Sequence, residues 1–221
     1  MELAAHDDVP LTRRVYDCSC ASFSGFCASN YITNPGDPGY PYIFGRREGT
    51  PERGPNPLDR FLGSLDTDKL YTLLGGVDGY YQEKFGRDGA NMQGGSQSDV
   101  PAFTGARSFL NVEPVVGGNC PLAAFMYDNG TLVFCEGMAT PDVLGHEYAH
   151  AVNFFSRSPN SPMLRIGESC ALDESLSDFF GEMLERYMTG QADWFHGTNS
   201  AGHGRNMADP ASWPISPKLE I

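Results

Sequence analysis

The stretch Gly145-His146-Glu147-Tyr148-Ala149-His150 constrains this chain more than any other. Two histidines four residues apart on a helix share one face, so both imidazoles can reach one ion. Zinc suits such a pair, at about 2.0–2.1 Å per nitrogen. Glu147, one position round the helix, is placed to hold an attacking water and take its proton. The competing reading is a buried helix whose two histidines are satisfied within the core. The helix is well marked on either reading. Thr140 is the expected N-cap, Pro141 fits the first helical position and Asp142 sets negative charge at the positive end. Val143, Leu144, Ala151, Val152, Phe154 and Phe155 supply apolar surface, and Pro159 stops any continuation.

A catalytic zinc takes a third protein ligand and keeps one position open. The run Ala171-Leu172-Asp173-Glu174-Ser175-Leu176-Ser177-Asp178-Phe179-Phe180-Gly181 offers that ligand. Leu172, Leu176, Phe179, Met183 and Tyr187 recur at helical spacing, which predicts a second helix with an apolar face. Glu174 and Asp178 lie one turn apart on a shared face. Glu174 is therefore the expected ligand, and Asp178 the group that receives the far N–H of a ligating histidine and orients its ring. An ordinary solvated charge is the alternative for either carboxylate alone.

Composition narrows the class. A chain of 221 residues, 40% hydrophobic and 19% charged, is long enough for a sizeable core and reads as globular. Its net charge of −13 argues against nucleic acid, which needs a basic face. No apolar run reaches the roughly 20 residues of a membrane span. Cys18, Cys20, Cys27, Cys120, Cys135 and Cys170 form neither C-x-x-C nor a zinc-ligand spacing with the histidines. An even count suits disulfides in an oxidising compartment, with 15 connectivities open, and buried free thiols are the alternative. Met1 to Asp8 has neither the basic nor the apolar segment of a signal peptide.

Secondary structure is expected as short strands over 12–16 and 41–44, a helix over 66–85 capped by Asp66 or Thr67, and strands over 108–116 and 122–127. Asp128-Asn129-Gly130 signals a hairpin into a further strand from Thr131 to Cys135. Gly75, Gly76 and Gly79 weaken the 66–85 helix, each by about 1 kcal/mol relative to alanine. Close packing of that helix on a sheet would account for them.

Taken together, these residues resemble the thermolysin family of zinc endopeptidases, which pairs H-E-x-x-H with a downstream N-E-x-x-S-D. Arg14-Val15-Tyr16-Asp17, Pro35-Gly36, Arg47-Glu48-Gly49 and Tyr80-Tyr81 followed by Phe85-Gly86-Arg87 match its amino-terminal lobe, and Arg205-x-Met207-x-Asp209-Pro210 matches the start of its carboxy-terminal lobe. The resemblance implies an α+β fold. A β-rich amino-terminal lobe, residues 1–158, would end in the His146–His150 helix, and residues 159–221 would begin a helical lobe that stops short of the family's full length. It implies a secreted metalloendopeptidase that acts on peptides or proteins, whose partners include its own remaining carboxy-terminal lobe. His146, His150 and Glu174 would hold zinc, with Glu147, Asp178 and Arg205 as catalytic residues and Arg205 bonding a substrate carbonyl. Ala124 and Phe125 would lie on an edge strand that pairs with extended substrate. Asp142, Glu185 and Asp193 echo calcium ligands of the family.

The chain also departs from the pattern. Arg165 stands where the family has an oxyanion-holding tyrosine, Asp173 where it has asparagine before the third ligand, and Ala123 where it has the asparagine of the substrate strand. Trp194-Phe195-His196 replaces further calcium-binding acids, so one calcium at most is expected. The family's catalytic histidine has no counterpart before Ile221. The rival expectation is thus a non-catalytic zinc-holding pseudo-peptidase that binds peptides or a partner chain.

Overall fold

The computed structural model describes residues 13–17, 44–52, 63–92, 107–110, 123–127, 131–135, 137–157, 166–197 and 204–209. Within them lies a mixed α and β fold. Strands β1 (Arg14–Asp17), β2 (Phe44–Arg47), β3 (Arg107–Leu110), β4 (Ala123–Met126) and β5 (Thr131–Phe134) form one sheet in the order β2-β1-β3-β5-β4. β1, β3 and β5 run parallel, while β2 and β4 are antiparallel edges. The expected β4–β5 hairpin pairs Ala123 with Phe134 and Met126 with Thr131, and its turn at 128–130 lies outside the described residues. Of the expected strand over 108–116, β3 covers the first three residues, and 111–116 lie outside the described residues.

Helix α1 (Gly63–Phe85) begins three residues before the expected cap. It buries Leu70, Leu74 and Val77 against Val15 of β1 and the rest of the core. A side chain of this size contributes about 1.5–3 kcal/mol on full burial. Gly75 and Gly76 of this helix meet close neighbours other than the sheet backbone, whereas Gly79 has nothing nearer than 3.8 Å. A Cβ on Gly75 would lie 2.5 Å from the Arg13 guanidinium, and one on Gly76 would lie 2.5 Å from the Met188 side chain, so the close neighbours are side chains from a strand end and a third helix. Arg13 and Arg46 both lie over the Tyr71 ring, and Arg13 and the Tyr71 hydroxyl both bind Glu48, fastening α1 to the sheet.

Helix α2 (Pro141–Ser156) carries the H-E-x-x-H stretch, and α3 (Glu168–Thr189) carries the second group of carboxylates. Thr140 occupies the N-cap of α2 with extended backbone, but its hydroxyl makes no capping bond. The two helices cross at glycines. A Cβ on Gly145 would sit 2.8 Å from the Gly181 Cα, and a Cβ on Gly181 would sit 2.4 Å from the Asp142 carbonyl oxygen. Only glycine permits backbones this close, and the approach brings the facing side chains of both helices into one layer. Helix α3 ends at Gly190, whose left-handed backbone (φ 83°) lets its N–H return to the Arg186 carbonyl.

The burial of α3 is the reverse of an ordinary amphipathic helix. Asp173, Ser177, Asp178, Glu182 and Glu185 are buried, while Leu172 is 64%, Leu176 54% and Phe179 42% exposed. The helix turns these polar residues inward because they meet the histidines of α2, and Leu172, Leu176 and Phe179 face outward, while Leu184, Phe180 and Met183 pack against the core. Two short strands, β6 (Phe195–His196) and β7 (Arg205–Asn206), pair antiparallel beyond α3, with His196 opposite Arg205. Cys135 is disulfide-bonded and Cys170 carries a free thiol. Cys18, Cys20, Cys27 and Cys120, like Arg165, lie outside the described residues.

Candidate metal centre

His146 and His150 stand one turn apart on α2, both buried, with their Nε2 atoms 3.0 Å apart. Glu174 reaches across from α3, with Oε2 3.3 Å from His146 Nε2 and Oε1 3.5 Å from His150 Nε2. The far side of each ring is held by a carboxylate. Asp178 Oδ1 lies 2.8 Å from His146 Nδ1, and Asp173 Oδ2 lies 3.0 Å from His150 Nδ1. A carboxylate accepts and does not donate, so each Nδ1 carries the hydrogen and each Nε2 presents a lone pair. Two lone pairs and a carboxylate therefore face one another at 3.0–3.5 Å. Such an arrangement repels itself unless positive charge sits at its centre.

A proton can supply that charge. Burial disfavours it on His146, but the hydrogen bonds to Asp178 and Glu174 outweigh burial and raise the imidazole pKa to about 9. The same bonds to His146 and His150 hold Glu174 well below the usual carboxylate range. A dication supplies twice the charge and displaces the proton. The donor set fits zinc in number, type and convergence, and the Glu174 side chain is 40% exposed, so the centre is open on one side.

The surrounding residues position this trio. Arg205 places Nε 3.0 Å from Asp178 Oδ2 and Nη2 against Asp178 Oδ1, a two-pronged clamp. Burial raises the Asp178 pKa, yet His146 and Arg205 prevail and lower it. Asp173 also accepts from the Asn153 amide, and Ser177 Oγ lies 3.1 Å from His150 Nδ1. Glu147 Oε2 accepts the Phe125 backbone N–H at 2.7 Å, tying the carboxylate to edge strand β4. Ala124 is half-buried, whereas the Phe125 ring is buried edge-on against Tyr127 and Phe154. What β4 presents at that residue is backbone.

Asp142, Glu185 and Asp193 gather around a residue that periodicity did not single out. Glu182 shares one cluster with Glu185 and Asp193, and another with Asp142 and His196. Burial, followed by the charges of its acidic neighbours, pushes Glu182 up to about 7 despite a hydrogen bond from the Trp194 N–H. Asp173, Ser177, Glu182 and His196 are thus members of the site that sequence reasoning missed. One signal was available for Asp173 and Ser177: they lie one helical turn apart, with Asp173 directly before Glu174 and Ser177 directly before Asp178.

No family model matches the chain. A zinc metalloproteinase of Renibacterium salmoninarum is 33% identical over 104 residues, which are 44% of this chain and 18% of that protein. Thermolysin of Alicyclobacillus acidocaldarius subsp. acidocaldarius is 30% identical over 167 residues, 70% of this chain and 28% of that one. In sequence, this chain is similar to members of the thermolysin family. In fold, it is similar to the precursor of protealysin, a metalloproteinase from Serratia proteamaculans. The TM-score is 0.56 at 20% identity, over 84% of this chain and 48% of that one. The thermolysin-like chain described here therefore spans about a quarter of the length of the curated thermolysin it matches.

Proposed function

We propose that this chain forms the zinc-holding half of a metalloendopeptidase, with His146, His150 and Glu174 as ligands. The observation that carries the reading is the convergence of two imidazole Nε2 atoms and one carboxylate, each Nδ1 being fixed from behind by Asp178 or Asp173. Zinc, when bound, acts as a Lewis acid towards the substrate carbonyl and makes water acidic enough to attack at neutral pH. Glu147 is the general base in this reading. Its carboxylate, anchored by the Phe125 N–H, takes the proton of the attacking water and returns it to the leaving amine. Asp178 and Asp173 hold the rings in one tautomer, and Arg205 holds Asp178. The Arg205 side chain is 40% exposed, which leaves it able to meet a substrate carbonyl as well. Edge strand β4, with Ala124 and Phe125, gives an extended peptide a backbone to lie along.

In this reading the division falls near residue 158, after the helix that carries the histidines. Asp142, Glu185 and Asp193 act as cation ligands; Glu185 and Asp193 with Glu182 make an all-oxygen group of the kind calcium takes. The bonded Cys135 suits an oxidising, extracellular setting. No helix among the described residues is long and apolar enough to cross a membrane.

Elemental analysis tests the ligand set. One zinc is expected at this centre, lost in His150→Ala and in Glu174→Ala. Undiminished zinc in both variants would overturn the assignment.

The exposed stripe Leu172, Leu176 and Phe179 supports a covering partner, and we assign it to a helical carboxy-terminal lobe of the kind its longer relatives have room for. Such a lobe would close the cleft and bring an oxyanion donor, so joining one to this chain should raise kcat/KM by at least about a hundredfold. Equal rates with and without it, on one casein-like substrate at equal zinc occupancy, would show that the cleft is already complete.

A further inference from the structure

We infer that Asp78 makes the turn over residues 86–92 a proton-sensitive strap, closed across α1 and α2 in acid and loosened towards neutral pH. The turn leaves the end of α1 and folds back on it, the Arg87 N–H returning to the Tyr81 carbonyl. Two consecutive N–H groups then hold it down. Gly89 donates to the Asp78 carboxylate, and Ala90 donates to the Tyr148 hydroxyl oxygen on α2. Gly89 has the left-handed backbone (φ 71°) that glycine adopts without penalty. Arg87 Nη2 closes the turn on the Ala90 carbonyl at 2.5 Å. Tyr148 stands two positions from either histidine, so the strap is fastened to the helix that carries both candidate ligands.

The fastening encloses groups that it does not pair. Asp78 Oδ1 is buried with no hydrogen-bond partner, and so is the hydroxyl of Tyr81, a residue 3% exposed. An enclosed carboxylate oxygen without a donor disfavours the charged form. Asp88, on the strap itself, repels that charge. Arg13, just ahead of β1, attracts it, but Arg13 is already bound to Glu48. Tyr148 faces Asp78 from α2 as a neutral phenol, and Arg87 directs its charge towards Tyr81 and Tyr148.

Burial, followed by the Asp88 charge, pushes the Asp78 carboxyl up to about 6, against the pull of Arg13 and the Gly89 N–H. A raised pKa means that the folded chain holds this proton more tightly than the unfolded one. The stability it supplies is complete below the ordinary value of 3.8 and is lost as pH rises through about 6. Opening the strap hydrates Asp78 and separates it from Asp88, so charging the carboxyl favours opening. The far end gives way readily. Met92 holds a left-handed backbone (φ 63°), unfavourable for a residue with a side chain, and its N–H meets the Gly89 carbonyl at a long 3.4 Å. The strap would act in this way whether or not the chain cleaves peptides.

The test compares the full chain with Asp78→Asn between pH 5 and 7.5, zinc in excess, by thermal unfolding and by amide hydrogen exchange corrected for its intrinsic pH dependence. In the unaltered chain, protection of the Gly89 and Ala90 amides should fall about tenfold across this range, with a midpoint near pH 6. Asp78→Asn should keep that protection constant and have the higher Tm at pH 7.5. Asp88→Asn tests the same point without altering the buried residue, and it should move the midpoint to lower pH. Equal pH dependence in the unaltered chain and Asp78→Asn would overturn the inference, as would a lower Tm for Asp78→Asn at pH 7.5. A midpoint left in place by Asp88→Asn would overturn it equally.

Discussion

Exchanging Glu147 for glutamine is expected to leave zinc bound and to lower kcat by about a thousandfold, within the usual range for a positioned acid–base group. Glutamine keeps the size and the acceptor oxygen that receives the Phe125 N–H, so β4 and α2 should stay in register. What it loses is the ability to take a proton. Glu147 is not among the three converging donors, so zinc content should match that of the unaltered chain. The measurement is kcat/KM on an unstructured peptide alongside elemental analysis, in a form of the protein that has measurable activity. Retained activity would assign the proton to another group. Zinc lost together with activity would make Glu147 structural.

Gly181→Ala should be destabilising, and it should weaken zinc binding at least tenfold although residue 181 touches no ligand. Alanine gains about 1 kcal/mol over glycine inside a helix, but here its methyl would lie 2.4 Å from the Asp142 carbonyl oxygen and 3.4 Å from the His146 backbone nitrogen. These are backbone atoms, which cannot turn aside as a side chain can. Overpacking of this kind costs about 1–3 kcal/mol or more and outweighs the helix gain. Helix α3 must then retreat from α2, carrying Glu174, Asp173 and Asp178 away from the histidines, and loss of such ring-holding partners alone lowers metal affinity 10- to 100-fold as a rule of thumb. Gly79→Ala provides the contrast. It offers the same helix gain with nothing nearer than the Tyr187 hydroxyl at 3.8 Å, so it should raise stability by up to about 1 kcal/mol. Thermal unfolding and a zinc competition titration on both variants separate the cases. A Tm for Gly181→Ala at or above that of the unaltered chain would refute the account of the helix crossing.

Much of the candidate centre was legible because its chemistry follows helical spacing. His146 and His150 at i and i+4, and Glu174 and Asp178 at i and i+4, fall on shared faces of whatever helices carry them. Arg205 was legible only as part of a resemblance, and its contact with Asp178 was not foreseen. The β4–β5 hairpin was likewise readable from Asn129-Gly130 between two apolar runs. Periodicity, however, states which residues share a face and not what that face meets. It marked Leu172, Leu176 and Phe179 as a face to bury, and the fold leaves them outside because the opposite face of α3 meets the histidines. The approach at Gly145 and Gly181 sets that choice, and it turns Asp173 and Ser177 towards His150. Glu182 and His196, 14 positions apart in the chain, meet Asp142 only because β6 folds back against the start of α2. The residues that each helix presents were therefore determined by sequence. Which face is buried, and which distant groups come together, was decided by how closely two backbones can approach.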